Sequence, residues 1–240
     1  MPNMMDDLEV GIVKREMVLY FIIDQSGSMA GTKMGSVNTA IREVIPELKT
    51  VGGADVDLKV AVLLFSNGCR WMHSAPVSVE NFAWNNIEAA GVTDLGAACI
   101  ELNSKLSQKD GFMKSPSGSV APALFLMSDG MPSDNYLDGI EKLKNNNWYK
   151  NAIKIAVAIG DDADTEVLAK FTGTPEAVIT VYTPEALKKM IRFVSITSAQ
   201  IGSKSQPVSS GNPQTKQADM VQNVQNFVQA DSSLTDPGDW

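Results

Sequence analysis

Residues 17–23, Met17-Val18-Leu19-Tyr20-Phe21-Ile22-Ile23, form an unbroken apolar run of seven that ends abruptly at Asp24-Gln25-Ser26-Gly27-Ser28-Met29. A run that is apolar at every position and rich in β-branched and aromatic side chains reads as a strand covered on both faces, as in the middle of a parallel sheet. The segment after the polar turn switches to helical spacing. Over residues 34–48, Val37, Ile41, Val44, Ile45 and Leu48 fall on one stripe, and Gly52-Gly53 breaks it.

The alternation continues along the chain. Strands are predicted over 58–65, 69–79, 123–127, 153–159 and 178–181, with helices over 94–106, 136–144, 165–171 and 184–196. In the first of these helices Leu95, Ala98, Cys99, Leu102 and Leu106 face inward. The stretch 69–79 contains Pro76, which suits a sheet edge. Strands alternating with helices imply βαβ units and one parallel sheet with helices on both faces, an α/β fold. Residues 109–122, rich in Gly, Ser and Pro, read as a mobile loop.

From Ala199 onward the composition shifts. The last 42 residues hold seven Gln, six Ser, three Pro and three Gly, so they are expected to be mostly disordered. One short stripe there, Met220, Val221, Val224, Phe227 and Val228, has helical spacing and suits docking on a partner or on its own domain, with an inert tail as the alternative. The expected organisation is a lead-in over 1–14, one domain over 15–198 and a polar tail over 199–240.

Charge narrows the function. The 240 residues carry 20 Lys plus Arg against 28 Asp plus Glu, a net charge of −8. That argues against a general nucleic-acid binder and against electrostatic docking on an anionic membrane. The longest apolar runs are seven residues, against about 20 for a membrane-spanning helix. Two cysteines cannot build a disulfide framework, and the acidic opening Met1-Pro2-Asn3-Met4-Met5-Asp6-Asp7 lacks the basic region of a signal peptide. A cytoplasmic, reduced setting is expected.

Residues suited to chemistry gather where strands end, which is where open α/β sheets bind ligands. The first strand delivers Asp24, Ser26 and Ser28; the turn before residue 95 delivers Thr93; the strand over 123–127 leads to Asp129. Two carboxylates and three hydroxyls, with no His or Cys, are hard oxygen donors suited to Mg²⁺, Mn²⁺ or Ca²⁺ rather than zinc or copper. With neutral hydroxyls making up most of the set, the ion keeps an electrophilic position open for an acidic group from outside.

Asp24-x-Ser26-x-Ser28 after a buried strand, then Thr93, then Ser128-Asp129-Gly130, resembles the von Willebrand factor A domain and its metal-ion-dependent adhesion site. The resemblance covers about residues 15–198. It implies a Rossmann-like, doubly wound, mostly parallel sheet of six strands with one antiparallel edge strand, the part that residues 69–79 fit. It also implies that Ser26 and Ser28 ligate the metal directly, that Thr93 does so directly or through water, and that Asp24 and Asp129 act through waters. A protein partner then supplies a Glu or Asp as the last ligand. Among the family's branches the chain looks most like bacterial intracellular TerY-like proteins of tellurite-resistance clusters, which implies association with a kinase and a phosphatase. Gln25 departs from the Thr, Ser or Asn more usual at its position, and its side chain should point away from the metal.

Other classes fit less well. A Mg²⁺-dependent phosphatase with Asp-x-Asp would need a second Asp where Ser26 stands. In Gly27-Ser28-Met29-Ala30-Gly31-Thr32-Lys33 the Thr breaks the phosphate-loop spacing, and a single histidine, His73, leaves little room for a Ser-His-Asp set. Membership of an AAA+ ATPase or chelatase-type assembly is the other alternative. Asp161, Asp162 and Asp164 read as a solvated turn and helix cap, His73 as a packing residue, and Met29, Met34 and Met131 as packing or an adaptable rim.

Overall fold

The structure is a computed structural model that describes residues 14–51, 56–114, 119–203 and 215–236. Its strands are β1 (Arg15–Asp24), β2 (Val56–Ser66), β3 (Gly68–Trp71), β4 (Val77–Ser78), β5 (Ala123–Ser128), β6 (Ile153–Ile159) and β7 (Val178–Val181). The helices are α1 (Thr32–Val51), α2 (Leu95–Lys105), α3 (Tyr136–Asn145), α4 (Asn147–Asn151), α5 (Thr165–Thr172), α6 (Pro184–Ser203) and α7 (Lys216–Ala230).

The strands lie in the order β3-β2-β1-β5-β6-β7, with β4 also paired to β2. All pairings among β2, β1, β5, β6 and β7 are parallel, while β3 and β4 run antiparallel along the outer side of β2. The single edge strand expected over 69–79 is therefore two short pieces separated by a bend over residues 72–75. Chain order reverses direction between β1 and β5. In such sheets that switch point leaves a crevice beyond the carboxyl ends of the two strands.

The seven apolar residues of β1 serve both faces. Met17, Leu19, Phe21 and Ile23 pack into a core with α1 and α6, and Val18, Tyr20 and Ile22 into a second core with α2 and α3. Period-2 alternation of side-chain direction explains why every position must be apolar when both faces are covered. The predicted stripes of α1 and α2 are all buried, from Val37 at 0 % to Ile45 at 6 % exposed. The loop expected to be mobile is anchored at Met113, which is buried and accepts a hydrogen bond from the Tyr20 hydroxyl at 3.5 Å. Its residues 115–118 lie outside those described.

The C-terminal stretch departs from expectation. Helix α6 runs on to Ser203, and residues 216–230 of the tail expected to be mostly disordered form α7, built around the stripe whose helical spacing set it apart. Met220, Val224 and Leu234 are buried at 0, 1 and 0 % exposure in the core shared with α6, and Phe227 stacks on Phe193 with ring centroids 4.0 Å apart. A helix needs only one apolar stripe to dock, and the many Gln residues occupy its other faces. Gln217 adds a polar tie. Its amide accepts from the Lys154 backbone N at 2.6 Å and donates to the Lys154 carbonyl at 3.0 Å, on a rung of β6 that the four-residue β7 does not reach. Residues 204–214 and 237–240, and most of the lead-in, lie outside the described residues.

Candidate metal centre at the switch point

Asp24 is the last residue of β1, and Ser128 the last of β5, with Asp129 directly after it. The two strands are hydrogen-bonded neighbours, with Ile23 opposite Met127. Their register alone therefore brings Asp24 and Asp129 to one crevice. Asp24, Ser26, Thr93 and Asp129 are buried, at 0, 2, 7 and 2 % exposure, while Ser28 is open to solvent.

The hydrogen bonds leave little slack. The Asp24 Oδ1 accepts from the Ser26 backbone N at 2.8 Å, and its Oδ2 from the Ser128 hydroxyl at 2.6 Å. The Ser28 hydroxyl donates to Asp129 Oδ1 at 2.7 Å. The Ser26 and Ser28 hydroxyl oxygens stand 3.0 Å apart. Ser28 has already used its one proton, so Ser26 is the donor there and both of its own lone pairs remain free. Asp129 Oδ2 takes the ammonium of Lys33 at 2.5 Å.

Thr93 arrives from a different segment. Ser133 N donates to the Thr93 carbonyl at 2.8 Å, and Thr93 N donates to the Ser133 hydroxyl at 3.0 Å. Asp134 then accepts from Gly96 N and Ala97 N, both at 2.9 Å, capping α2 from across the crevice. The loop after β1 is stitched to the same segment by Gly27 N to the Gly91 carbonyl at 2.9 Å and Ala90 N to the Gln25 carbonyl at 2.7 Å. Gln25 turns its side chain outward, toward Ser66 and Arg70, as its place in the sequence suggests.

Gly130 marks where these groups meet. A Cβ at this glycine would lie 3.3 Å from the Thr93 hydroxyl, 3.5 Å from the Ser28 hydroxyl and 3.9 Å from Asp24 Oδ2. Oxygens from two chain segments, the loop over 24–28 and Thr93, thus surround one small space beside a third, which only a residue without a side chain leaves open. The donor set is hydroxyl and carboxylate oxygen. Among the described residues no three His, Cys, Asp or Glu side chains gather to hold a metal. The residues present fit a hard divalent cation that relies on neutral oxygens beside two carboxylates.

Electrostatics are consistent with that fit. Burial pushes the Asp24 carboxyl above its ordinary value, the Ser128 and Ser26 hydrogen bonds pull it back, and the charge of Asp129 pushes it up again.

All five residues singled out from the sequence, Asp24, Ser26, Ser28, Thr93 and Asp129, stand at this crevice. Two others that act on it were not singled out. Ser128, in the same tripeptide as Asp129, holds Asp24, and Lys33, two residues into α1, holds Asp129. Of the three methionines considered for a rim, Met29 and Met34 are core residues, and only Met131, 68 % exposed, is at the surface. Asp164 caps α5 through Glu166 N and Val167 N, and His73 packs on Phe82, so neither joins a site.

The sequence model of the von Willebrand factor type A domain matches residues 19–193. A search of curated proteins finds no match. Solved structures share the fold at low identity. A von Willebrand factor type A protein from Catenulispora acidiphila is 20 % identical with a TM-score of 0.57, covering 77 % of this chain and 43 % of that one. Proximal thread matrix protein 1 of the mussel byssus, with a zinc-occupied MIDAS motif, is 18 % identical with a TM-score of 0.56, covering 78 % and 48 %. The pilus adhesin SpaC from Lactobacillus rhamnosus GG reaches a TM-score of 0.60 at 13 % identity, covering 80 % and 31 %. The chain spans less than half the length of each of these. With the matched segment running from within β1 to the middle of α6, the chain belongs to the von Willebrand factor type A domain family.

Proposed function

We propose that this chain is a metal-dependent protein-interaction module rather than an enzyme. In this reading Ser26, Ser28 and Thr93 offer hydroxyl oxygens to a divalent cation, and Asp24 and Asp129 hold water around it. Once bound, the cation supplies an electrophilic position for a Glu or Asp of a protein partner. The observation that carries the reading is the convergence of Asp24, Ser28 and Thr93 oxygens on the space beside Gly130.

The zinc-occupied motif named for the mussel protein supports a divalent ion at such a site. The hard oxygen donors of this chain favour Mg²⁺, with Mn²⁺ or Ca²⁺ as close substitutes. The TerY-like resemblance supports a cytoplasmic bacterial adaptor in stress or tellurite-resistance signalling, with kinase and phosphatase partners. A phosphatase-like reading is weaker because both Asp24 oxygens are engaged, by Ser26 N and Ser128, and Ser26 stands where an acid–base Asp is needed. A subunit role in an AAA+ assembly would use the same site.

The test is a calorimetric titration of Mg²⁺ and Mn²⁺, with Zn²⁺ as competitor, into chelator-stripped wild type and Asp24→Asn. Asn keeps an acceptor for Ser26 N and a partner for Ser128, whereas Ala would leave both donors unsatisfied in a buried site. Saturable binding in the wild type, weakened at least about tenfold in the variant, is expected, because a buried charge facing the ion is removed. Equal binding in both proteins, or none in the wild type at any of the three metals, would sink the reading. A pull-down with and without chelator then reports whether partner capture needs the metal.

A further inference from the structure

Lys33 sits in a place that helix electrostatics disfavour. It is the second residue of α1, whose first turn holds no acidic side chain, and a cation there opposes the positive end of the helix dipole. Its compensation comes from 96 residues away. The Lys33 ammonium lies 2.5 Å from Oδ2 of Asp129, a carboxylate whose side chain is 0 % exposed, while Lys33 itself is 17 % exposed. The other charged groups nearby are committed elsewhere. Asp94 accepts from Gly68 N and the Ser133 hydroxyl, and Asp134 caps α2. Among the described residues, Lys33 is the one cation paired to a carboxylate of the crevice.

We propose that Lys33 is a resident stand-in cation that weakens metal binding in the free domain and strengthens the hold of the metal-bound site on an acidic ligand. This rests on the metal-site reading above. Asp24 and Asp129 bring two negative charges and Lys33 one positive. A dication alone leaves the crevice with one surplus positive charge; a dication together with one partner carboxylate brings it to zero. Without Lys33 the dication alone would neutralise the crevice, and an arriving carboxylate would leave it negative. Lys33 therefore weakens metal binding in the free domain and favours the acidic ligand once metal is present. Thermodynamic linkage requires the carboxylate to tighten metal binding by the same factor.

The test uses Mn²⁺ as the probe, titrated into the full chain as wild type, Lys33→Met and Lys33→Arg, each in chloride and with acetate replacing chloride at constant ionic strength. Lys33→Met should bind Mn²⁺ at least about tenfold tighter than wild type, since the unit positive charge held against Asp129 opposes an arriving dication even at the dielectric of water. Acetate should tighten Mn²⁺ binding more in wild type and Lys33→Arg than in Lys33→Met. Chelator-stripped Lys33→Met should also melt below wild type, because Asp129 loses its counterion, and Mn²⁺ should restore more stability to it than to wild type. If wild type and Lys33→Met bind Mn²⁺ equally, or Lys33→Met binds more weakly, the inference is overturned and the metal site stands. If no protein binds Mn²⁺ in either salt, the metal reading falls and this inference with it.

Discussion

Replacing Met220 with Ala tests whether α7 is an integral part of the domain. Met220 is 0 % exposed, sits in the core shared by β1, α1 and α6, and receives the Ser198 hydroxyl on its sulfur at 3.7 Å. Core Met→Ala changes cost about 2–5 kcal/mol through lost transfer energy and the cavity left behind. Two features place this one in the lower half of that range. A helix held on one face can settle toward the gap, and Ala is a better helix former than Met by a few tenths of a kcal/mol. The expected loss is about 2–3 kcal/mol, equivalent to roughly 5–10 °C in Tm for a domain of this size. Urea titration followed by circular dichroism, with calorimetry as a second probe, measures it. Loss of the whole segment from residue 204 onward should cost more, because Val224 and Leu234 go with Met220. A Met220→Ala change below about 0.5 kcal/mol, the size of an ordinary surface substitution, would refute the docking of α7.

Two further outcomes follow from the site and the core. Gly130→Ala should leave stability within about 1 kcal/mol, because Gly130 needs no positive φ, yet weaken Mn²⁺ binding at least about tenfold by filling the space between Thr93 and Ser28; unchanged affinity in the same titration would contradict the geometry. Lys154 is buried with the carbonyls of Tyr149 and Ala152 at its ammonium and the Tyr149 ring beside it at 5.0 Å, and burial lowers its pKa from 10.5 to about 8. Below pH 8 both folded and unfolded states are protonated and the burial penalty is carried in full; as pH rises toward 10.5 the folded state sheds its proton first and the penalty is relieved. The stability of Lys154→Met relative to wild type should therefore fall by about 2 kcal/mol between pH 7 and 10.5, allowing for residual solvent access. Cys69 and Cys99, whose thiols burial pushes up, erode stability above pH 9 in both proteins and cancel in the difference. A gap that does not change with pH would refute this.

The strand-and-helix framework could be read from the sequence because its signals are local. The apolar run of β1 and the stripes of α1 and α2 each specify an element and its buried face without reference to anything distant. The five site residues could be read for a related reason: each lies within two residues of a motif that ends a strand or precedes a helix. What escaped depends on contacts far apart in the chain. Lys33 acquires its role only when folding sets it against Asp129, and Ser133 and Asp134 become part of the crevice only through bonds to Thr93, Gly96 and Ala97. Helix α7 was half legible: the stripe of Met220, Val221, Val224, Phe227 and Val228 has helical spacing, but its composition argues the other way. Its Gln content suggests disorder, but Met220 and Val224 need only a complementary groove beside α6 to be buried.

The tie between Gln217 and Lys154 bears on how the protein behaves in a crowded solution. A sheet edge with bare N–H and C=O groups is a template on which another chain can add a strand, and neighbouring apolar residues make the template more adhesive. At the start of β6 the flanking residues are Ile153 and Ile155, and β7 is too short to cover them. The side-chain amide of Gln217 presents one acceptor and one donor to that rung, as a paired strand would, but offers no outer edge on which pairing could continue. Resistance to self-association at this corner of the sheet thus resides in one glutamine and the helix that carries it.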